Sequence, residues 1–435
     1  MGILDKETEL TRHAYYEAGV TRPPLSAPLT GRLSADVCVV GGGYAGLAAA
    51  LELAERGYRV VLLEARRLGW GASGRNGGQV LVGYGLTGQE AIEVQLPVAD
   101  ARRAWEISVA GVGWLRERIG RHAIDCDYTA GHLSLAIGQR KARGLERWVN
   151  HVAKHYGYQL EPIPEAELGG WIASPRFQAG AYDPLSGHLH PLKYCLGLAA
   201  AARSAGVEIF EQSAALAIER GAAPLVKTAL GEIACRYVVL AGNVYLAEFA
   251  KKLAAELATR IMPVGTYIIT TAPMEKARAD GLIRNRAAAF DTNLVLDYFR
   301  VTADHRLLFG GGESYTTATP LNLKEKMRQR MLRVFPQLGD LQVPYVWGGF
   351  VDITMNQAPD FGRLGHNIYY LQGFSGHGLA LAGMAGRLAA EALAGDAERF
   401  DLLARLKHRT FPGGERLRTP ALVLGMLYYR LRDLL

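Results

Sequence analysis

At 435 residues and 49% apolar content, the chain is long for one domain and can bury large cores. Two intertwined domains are therefore expected, and extended disorder is not. The formal charge of +7 is spread along the chain with Lys/Arg interleaved among Asp/Glu, which argues against a nucleic-acid partner.

The N-terminus lacks a signal-like apolar core and no run approaches membrane-spanning length. Cys38, Cys126, Cys195 and Cys235 are scattered without C-x-x-C spacing, so zinc and disulfides are not expected and a reducing, cytoplasmic setting fits. After an arm over 1–32, Val37, Val39 and Val40 form a short apolar strand with Cys38 among them. Gly41, Gly43 and Gly46 then fit G-x-G-x-x-G, Leu47, Leu51 and Ala54 recur at helical spacing, and Gly57 suits a helix C-terminus. A second strand, Tyr58 to Leu63, ends on Glu64, about 20 residues past the glycines. That order of strand, glycine turn, helix, strand and carboxylate is a dinucleotide fingerprint. Gly41 permits the tight turn, Gly43 admits a pyrophosphate, and Gly46 permits close helix–sheet packing. The helix start at Tyr44 and Ala45 offers free N–H groups and a positive dipole end. Glu64 is expected to accept ribose hydroxyls and to disfavour the 2′-phosphate of NADP, with Ala65 and Arg66 in the same contact.

A second glycine-rich run, Gly69 to Gly78, follows directly. Small residues here suit a ligand lying extended over the backbone, as full-length FAD does and NAD does not require. The segment Gly71-Ala72-Ser73-Gly74-Arg75-Asn76-Gly77-Gly78-Gln79 resembles the flavin-proximal motif of the D-amino acid oxidase superfamily, most of all its gamma-glutamylputrescine oxidoreductase branch. The resemblance implies that Gly71, Ala72, Ser73, Arg75, Asn76, Gly77 and Gly78 lie along the cofactor.

Glu90 to Tyr156 reads as long helices with charged faces, such as Trp105 to Ile119, and Pro162 to Pro184 as loops. Pro191 starts a helix with Leu192, Cys195, Leu196 and Ala199 on one face, ended by Gly206. Val207 to Phe210 is a strand, and Val226 to Leu230 with Glu232 to Leu240 reads as a hairpin leading to Ala241-Gly242-Asn243. By resemblance, backbone near Ala215 flanks the adenine and Ala241 with Gly242 approaches the ADP. His188 and His190 lack further ligands nearby, so a structural role is expected over metal binding.

Ile261 to Tyr315 is strand-rich, with Asn293 to Val301 and Leu307 to Phe309 joined by a turn at Asp304-His305 and Gly310 to Gly312 closing the second strand. Tyr298 and Arg300 share one strand face. With Tyr267 they are candidates to line the substrate pocket, Arg300 for a glutamyl carboxylate. After a basic helix, Asn322 to Phe335, the chain returns through Tyr345 to Asp352.

Ile368 to Leu371 is a strand, Leu379 to Leu393 a helix, and between them Gly373-Phe374-Ser375-Gly376-His377-Gly378 resembles the same superfamily's flavin-contacting C-terminal loop. A helix N-terminus at Gly378 favours negative charge on a reduced flavin. His377 is read as either a site-lining group or a loop histidine bonded to backbone. The segment Thr410 to Gly414 resembles the same branch. The tail Ala421 to Leu435 is expected to pack on its own domain or on a neighbouring subunit, which leaves a homo-oligomer open.

The expected fold is α/β: a three-layer, Rossmann-like FAD domain with a parallel sheet, from 33–95, 186–250 and 346–400. It is intertwined with an α+β substrate domain on an antiparallel sheet, from 96–185 and 251–345, and followed by a helical extension over 401–435. No metal, serine-triad or phosphotransfer signature is present. The resemblance implies hydride removal from a carbon bonded to an amine nitrogen, giving an imine that hydrolyses, with no catalytic acid or base assigned. Amino-acid oxidases of the superfamily place a carboxylate-gripping arginine after a Trp-small-Gly-apolar sequence. Here Trp347-Gly348-Gly349-Phe350 is followed by Val351, which cannot grip a carboxylate, and then by Asp352. That favours a distal amine or polyamine such as gamma-glutamylputrescine. Asp352 could attract its cationic group or serve as a turn residue. Sarcosine-oxidase relatives attach flavin through a cysteine near this position, but no cysteine follows Cys235 and no histidine lies in the Gly69–Gly78 loop, so the resemblance implies noncovalent FAD, and oxygen is the expected acceptor. The alternatives are an amino-acid or secondary-amine dehydrogenase using a quinone or protein acceptor, and a non-catalytic FAD-binding subunit.

Overall fold

The computed structural model describes residues 14–249, 253–293, 295–314 and 320–412. The expected N-terminal arm before residue 14, the tail at Ala421 to Leu435 and the end of the Thr410–Gly414 segment lie outside them.

Val37–Val40 is the strand its β-branched run predicts, and it sits near the centre of a six-stranded sheet. It pairs in parallel with Val60–Leu63 and Tyr237–Leu240, which in turn pair in parallel with Glu208–Phe210 and Ile368–Gln372. Asp360–Leu364 closes one edge antiparallel. Such central strands are apolar on both faces because both are covered. Val37 and Val39 pack toward helices Tyr44–Glu55, Val98–Arg121, Pro191–Ser204 and Gly378–Leu393. Cys38 and Val40 pack instead toward a four-stranded sheet that supplies Val226 and Ile233, with Leu29 from the segment just before it. Three layers result, as expected. Gly46 belongs to this packing: a Cβ there would lie 1.9 Å from the Gly41 carbonyl oxygen.

The larger sheet runs Tyr345–Thr354, Ile261–Thr270, Leu307–Ser314, Tyr298–Val301, Ala288–Asp291, Thr129–Ala136, Ala179–His188 and Gln79–Val80, with Glu161–Ile163 alongside Ala179–His188. Every pairing is antiparallel except Ala288–Asp291 on Thr129–Ala136. Tyr267, Ile269, Phe299 and Phe309 bury one face beneath helix Leu323–Val334. The opposite face carries Thr266, Ile268, Tyr298, His132 and Phe290.

Five sequence expectations are corrected. Thr129–Ala136 is a strand inside the stretch read as helical, with His132 and Ser134 on one face and Leu133 and Leu135 on the other. Ala179–His188 is a strand beginning inside the stretch Pro162 to Pro184 read as loops, because its backbone is paired by Thr129–Ala136. The Val226–Leu240 hairpin divides: Leu225–Lys227 and Gly231–Ala234 form it, while Tyr237–Leu240 joins the parallel sheet. The strand beginning at Leu307 runs through Gly310 to Ser314. Tyr345–Thr354 pairs along its length with Ile261–Thr270, so the chain leaves the antiparallel sheet after Thr354 and not at residue 346.

Candidate active site

A cavity of about 1170 Å³ opens between the C-terminal ends of the parallel strands and the inner face of the antiparallel sheet. That exceeds the roughly 300–1,000 Å³ of ordinary single-ligand sites. The end of a parallel sheet is where dinucleotides bind, because loops there can carry the glycine turn and the ribose carboxylate together.

At one end the wall is built from Gly41, Gly43, Tyr44, Ala45, Glu64, Ala65, Ala215, Ala241 and Gly242, all expected from sequence. Glu64 accepts backbone N–H groups of Gly42 and Arg66 at 2.8 Å each. A carboxylate has about four acceptor positions, so capacity remains for ribose hydroxyls. Burial pushes the Glu64 carboxyl up and these N–H groups hold it down. Trp70, Tyr245, Leu246 and Phe249, not foreseen from sequence, add apolar wall here. Arg66 is off the wall: its guanidinium lies 5.7 Å from the rings of both Trp70 and Phe249.

The middle of the wall is Gly71, Ala72, Ser73, Arg75, Asn76 and Gly77, continuing into Gln79. This loop is held from behind. Trp347 Nε1 donates to the Arg75 carbonyl at 2.9 Å, Tyr16 Oη to that of Asn76 at 2.8 Å, and Arg300 Nε to that of Gly77 at 2.8 Å. The Leu189 N–H takes the Gly78 carbonyl at 2.8 Å. None of these four donors lines the cavity. Asn76 braces the loop internally, accepting from the Gly78 N–H at 2.8 Å and donating to the Ala72 carbonyl at 3.0 Å. Gly78 lies just behind the wall.

From the C-terminal loop, Phe374, Ser375, Gly376, His377 and Gly378 reach the cavity, while Gly373 does not. Asp352, itself on the cavity wall, holds the start of this loop. Its buried carboxylate accepts the N–H groups of Gly373, in a very short contact, and of Phe374 at 3.3 Å. Burial lifts its pKa to about 6 against these bonds. Asp352 thus anchors the loop and is already engaged.

The substrate-side candidates divide by strand parity. Tyr298 lines the cavity, its ring where a Cβ on Gly77 would come within 2.4 Å. Tyr267 points the other way, into the core under the sheet, and its neighbours Thr266 and Ile268 face the cavity instead. Arg300 is buried but off the wall, spent on Gly77 and Tyr16. It does not wait for a substrate carboxylate. His377 does line the site: burial lowers its pKa, and its Nδ1 is buried without a hydrogen-bond partner. His132, which sequence reasoning missed, faces Gln79 Oε1 at 3.3 Å and has its pKa pushed down to about 3 by burial. The alternation His-Leu-Ser-Leu around it was the signal available. His188 Nε2 donates to the Arg286 carbonyl at 2.8 Å, and His190 caps the helix Pro191–Ser204. Among the described residues no cluster could hold a metal, all four cysteines are buried and none lines the cavity, and no helix is long and apolar enough to cross a membrane.

A glycine-floored cavity with a ribose carboxylate at one end and a braced loop in the middle fits FAD lying full length. A profile of the FAD-dependent oxidoreductase family matches residues 36–392. The chain belongs to that family. It is 42% identical over 426 residues to gamma-glutamylputrescine oxidoreductase of Escherichia coli K12, covering 98% of this chain and 99% of that protein. It is 41% identical over 408 residues to a probable oxidoreductase, OrdL, of Haemophilus influenzae, covering 93% and 94%. Its fold resembles the crystal structure of glycine oxidase from Geobacillus kaustophilus, with a TM-score of 0.69 at 21% identity over 88% of this chain and 97% of that one.

Proposed function

We propose that this FAD-dependent oxidoreductase oxidises the C–N bond of a primary amine carried on a polyamine, with gamma-glutamylputrescine as the substrate and oxygen as the acceptor. The observation that carries the reading is the near-full-length 42% identity to an enzyme named for that substrate. Val351 supports it. It lies on the cavity wall where the amino-acid oxidases' arginine is expected, and a valine there cannot pair with an α-carboxylate.

Bound FAD supplies a two-electron acceptor for the hydride on the carbon beside the amine nitrogen. The protein's own contribution is the wall. Tyr298, Phe290 and Ile268 exclude water around the reacting carbon, and His132 is held neutral near pH 7. Such a desolvated, uncharged wall favours the neutral amine, whose nitrogen lone pair must be free to form the C=N bond. As hydride leaves carbon, the nitrogen proton passes to solvent, and water then splits the imine into aldehyde and ammonia. FAD is held noncovalently in this reading, in keeping with a cavity wall free of cysteine.

The test is anaerobic mixing of the yellow holoprotein with gamma-glutamylputrescine, putrescine, sarcosine, glycine and a D-amino acid in turn. Rapid bleaching by the gamma-glutamylated amine, with fast recovery in air, is expected. Bleaching by glycine or the D-amino acid alone would overturn the substrate, and recovery only with a quinone would overturn the acceptor. Yellow colour retained in acid-precipitated protein would overturn noncovalent binding.

A further inference from the structure

His132 stands on strand Thr129–Ala136 beside the ring of Phe290, with ring centroids 4.6 Å apart. Phe290 pairs in register with Tyr298 on the next strand, and the Tyr298 ring lies against Gly77 of the braced loop. Tyr298, Phe290 and His132 thus form one run of rings along the cavity wall. Gln79, two residues on from Gly77, meets the far end of that run at His132.

The proton on His132 has a fixed place. Gln79 Nε2 donates to the Ala289 carbonyl at 2.8 Å, which settles which way its amide points. Its Oε1 then faces His132 Nε2 at 3.3 Å, and an amide oxygen can only accept, so Nε2 carries the N–H. Burial first, and the neighbouring His377 next, push the His132 pKa down to about 3. The ring is therefore neutral near pH 7, and Nδ1 is left as a bare lone pair. Nδ1 makes no hydrogen bond among the described residues, and unlike the Nδ1 atoms of His188 and His377 it is not sealed off. His132 is 2% exposed, and it lies on the cavity wall, so that lone pair opens onto the cavity. Buried polar atoms are nearly always satisfied, and here the missing partner is a donor. His377 reaches the same cavity, but nothing fixes the proton on its ring, because its Nδ1 is sealed and unpaired.

We propose that His132 Nδ1 accepts an N–H of the substrate amine and so holds the carbon beside that nitrogen at the reacting position, with Gln79 as the positioning residue that keeps Nδ1 unprotonated. This rests on the amine-oxidising reading above and adds the group that receives the amine. A neutral acceptor suits a neutral amine: it takes one N–H and leaves the nitrogen lone pair free. As the C–H bond breaks, hydrogen leaves with its electron pair as hydride to bound FAD. The nitrogen lone pair becomes the second bond of C=N, and nitrogen, keeping both N–H bonds, turns cationic. An N–H on a charged nitrogen makes a hydrogen bond about twice as strong as a neutral one. The contact with His132 therefore tightens toward the transition state, which raises rate more than affinity. The proton stays on nitrogen during this step, since buried His132 resists charging, and then passes to solvent.

The experiment is anaerobic stopped-flow reduction of the holoenzyme by gamma-glutamylputrescine, in wild type and in variants that move the acceptor. Asn places an acceptor oxygen where Nδ1 stands, and Gln places one where Nε2 stands. His132→Gln and His132→Ala are expected to be reduced about ten-fold or more slowly at saturating amine, with amine Kd changed less. His132→Asn should recover most of the rate. Gln79→Leu, which frees the ring to carry its proton on Nδ1, should show a smaller loss of the same kind. FAD affinity, from fluorescence titration of the apoproteins, should match wild type throughout. No advantage of Asn over Gln, or rate losses that follow lost FAD affinity, overturns the assignment of His132 while the amine reading stands. If neither gamma-glutamylputrescine nor putrescine reduces wild-type flavin, the amine reading itself falls and takes this one with it.

Discussion

Arg300 Nη2 donates to Tyr16 Oη at 3.2 Å, joining a strand of the antiparallel sheet to the N-terminal helix Tyr15–Ala18 directly behind the glycine-rich loop. Each partner also holds one loop carbonyl, Tyr16 that of Asn76 and Arg300 that of Gly77. Two distant chain segments thus meet to fix one backbone course past the cavity.

Loosening that pair should weaken cofactor binding without touching the cofactor. Hydrogen bonds from charged donors contribute about 1.5–3 kcal/mol and neutral ones about 0.5–1.5. Arg300→Met is therefore expected to raise the FAD Kd about ten-fold or more, and Tyr16→Phe by a smaller factor. Fluorescence titration of apoprotein with FAD checks both. Equal affinities in all three proteins would show that the loop holds its course unaided.

Asp352 offers a second handle. Asp352→Ala leaves the buried N–H groups of Gly373 and Phe374 without their acceptor. Each orphaned group costs about 1–3 kcal/mol, so denaturant unfolding should show a loss of roughly 2–6 kcal/mol. Asp352→Asn keeps an acceptor and should recover most of it. A substrate-binding role would instead show as a raised KM with stability intact.

Gly310 sits opposite Tyr298 in the sheet, and a Cβ there would lie 2.1 Å from the Tyr298 ring. Gly310→Ala must push that ring from its place on the cavity wall. Misplacement by about 1 Å can cost roughly 100-fold in rate. The variant is expected to bind FAD and to be reduced by substrate far more slowly in stopped-flow. Wild-type reduction rates would show that Tyr298 does not shape the reacting position.

The buried histidines predict a pH effect. His190 is 6% exposed and its pKa is pushed down to about 3, burial first and the Arg300 charge next. Unfolded, it titrates near 6.5. The unfolded chain therefore binds the extra proton below that value, and the stability His190 contributes is full above pH 6.5 and falls as pH drops toward 3. The loss between pH 7 and 5 is about 2 kcal/mol for one such group. His190→Asn keeps a capping acceptor without titrating, so its stability relative to wild type should improve by about that amount from pH 7 to 5. Parallel unfolding curves at the two pH values would refute it.

Glu64 and the glycines from Gly41 to Gly77 were legible because each role is carried by backbone, and backbone needs show directly in residue type. Tyr267 and Arg300 were not. Alternation told that Tyr298 and Arg300 share a face, but not that Arg300 would turn behind the loop or that Tyr267 sits on the opposite parity. The strand Thr129–Ala136 was missed because Ala and Leu serve helix and strand alike, and only its pairing with Ala179–His188 decides.

By itself the sequence determined the cofactor class and the three-layer nucleotide fold, since a strand, a glycine turn and a carboxylate at fixed spacing dictate local geometry whatever surrounds them. Only the tertiary structure decided what Asp352 and Arg300 do. Their roles depend on which side chains and backbone groups, hundreds of residues away in some cases, arrive to satisfy them: Gly77 and Tyr16 take Arg300, and Gly373 and Phe374 take Asp352.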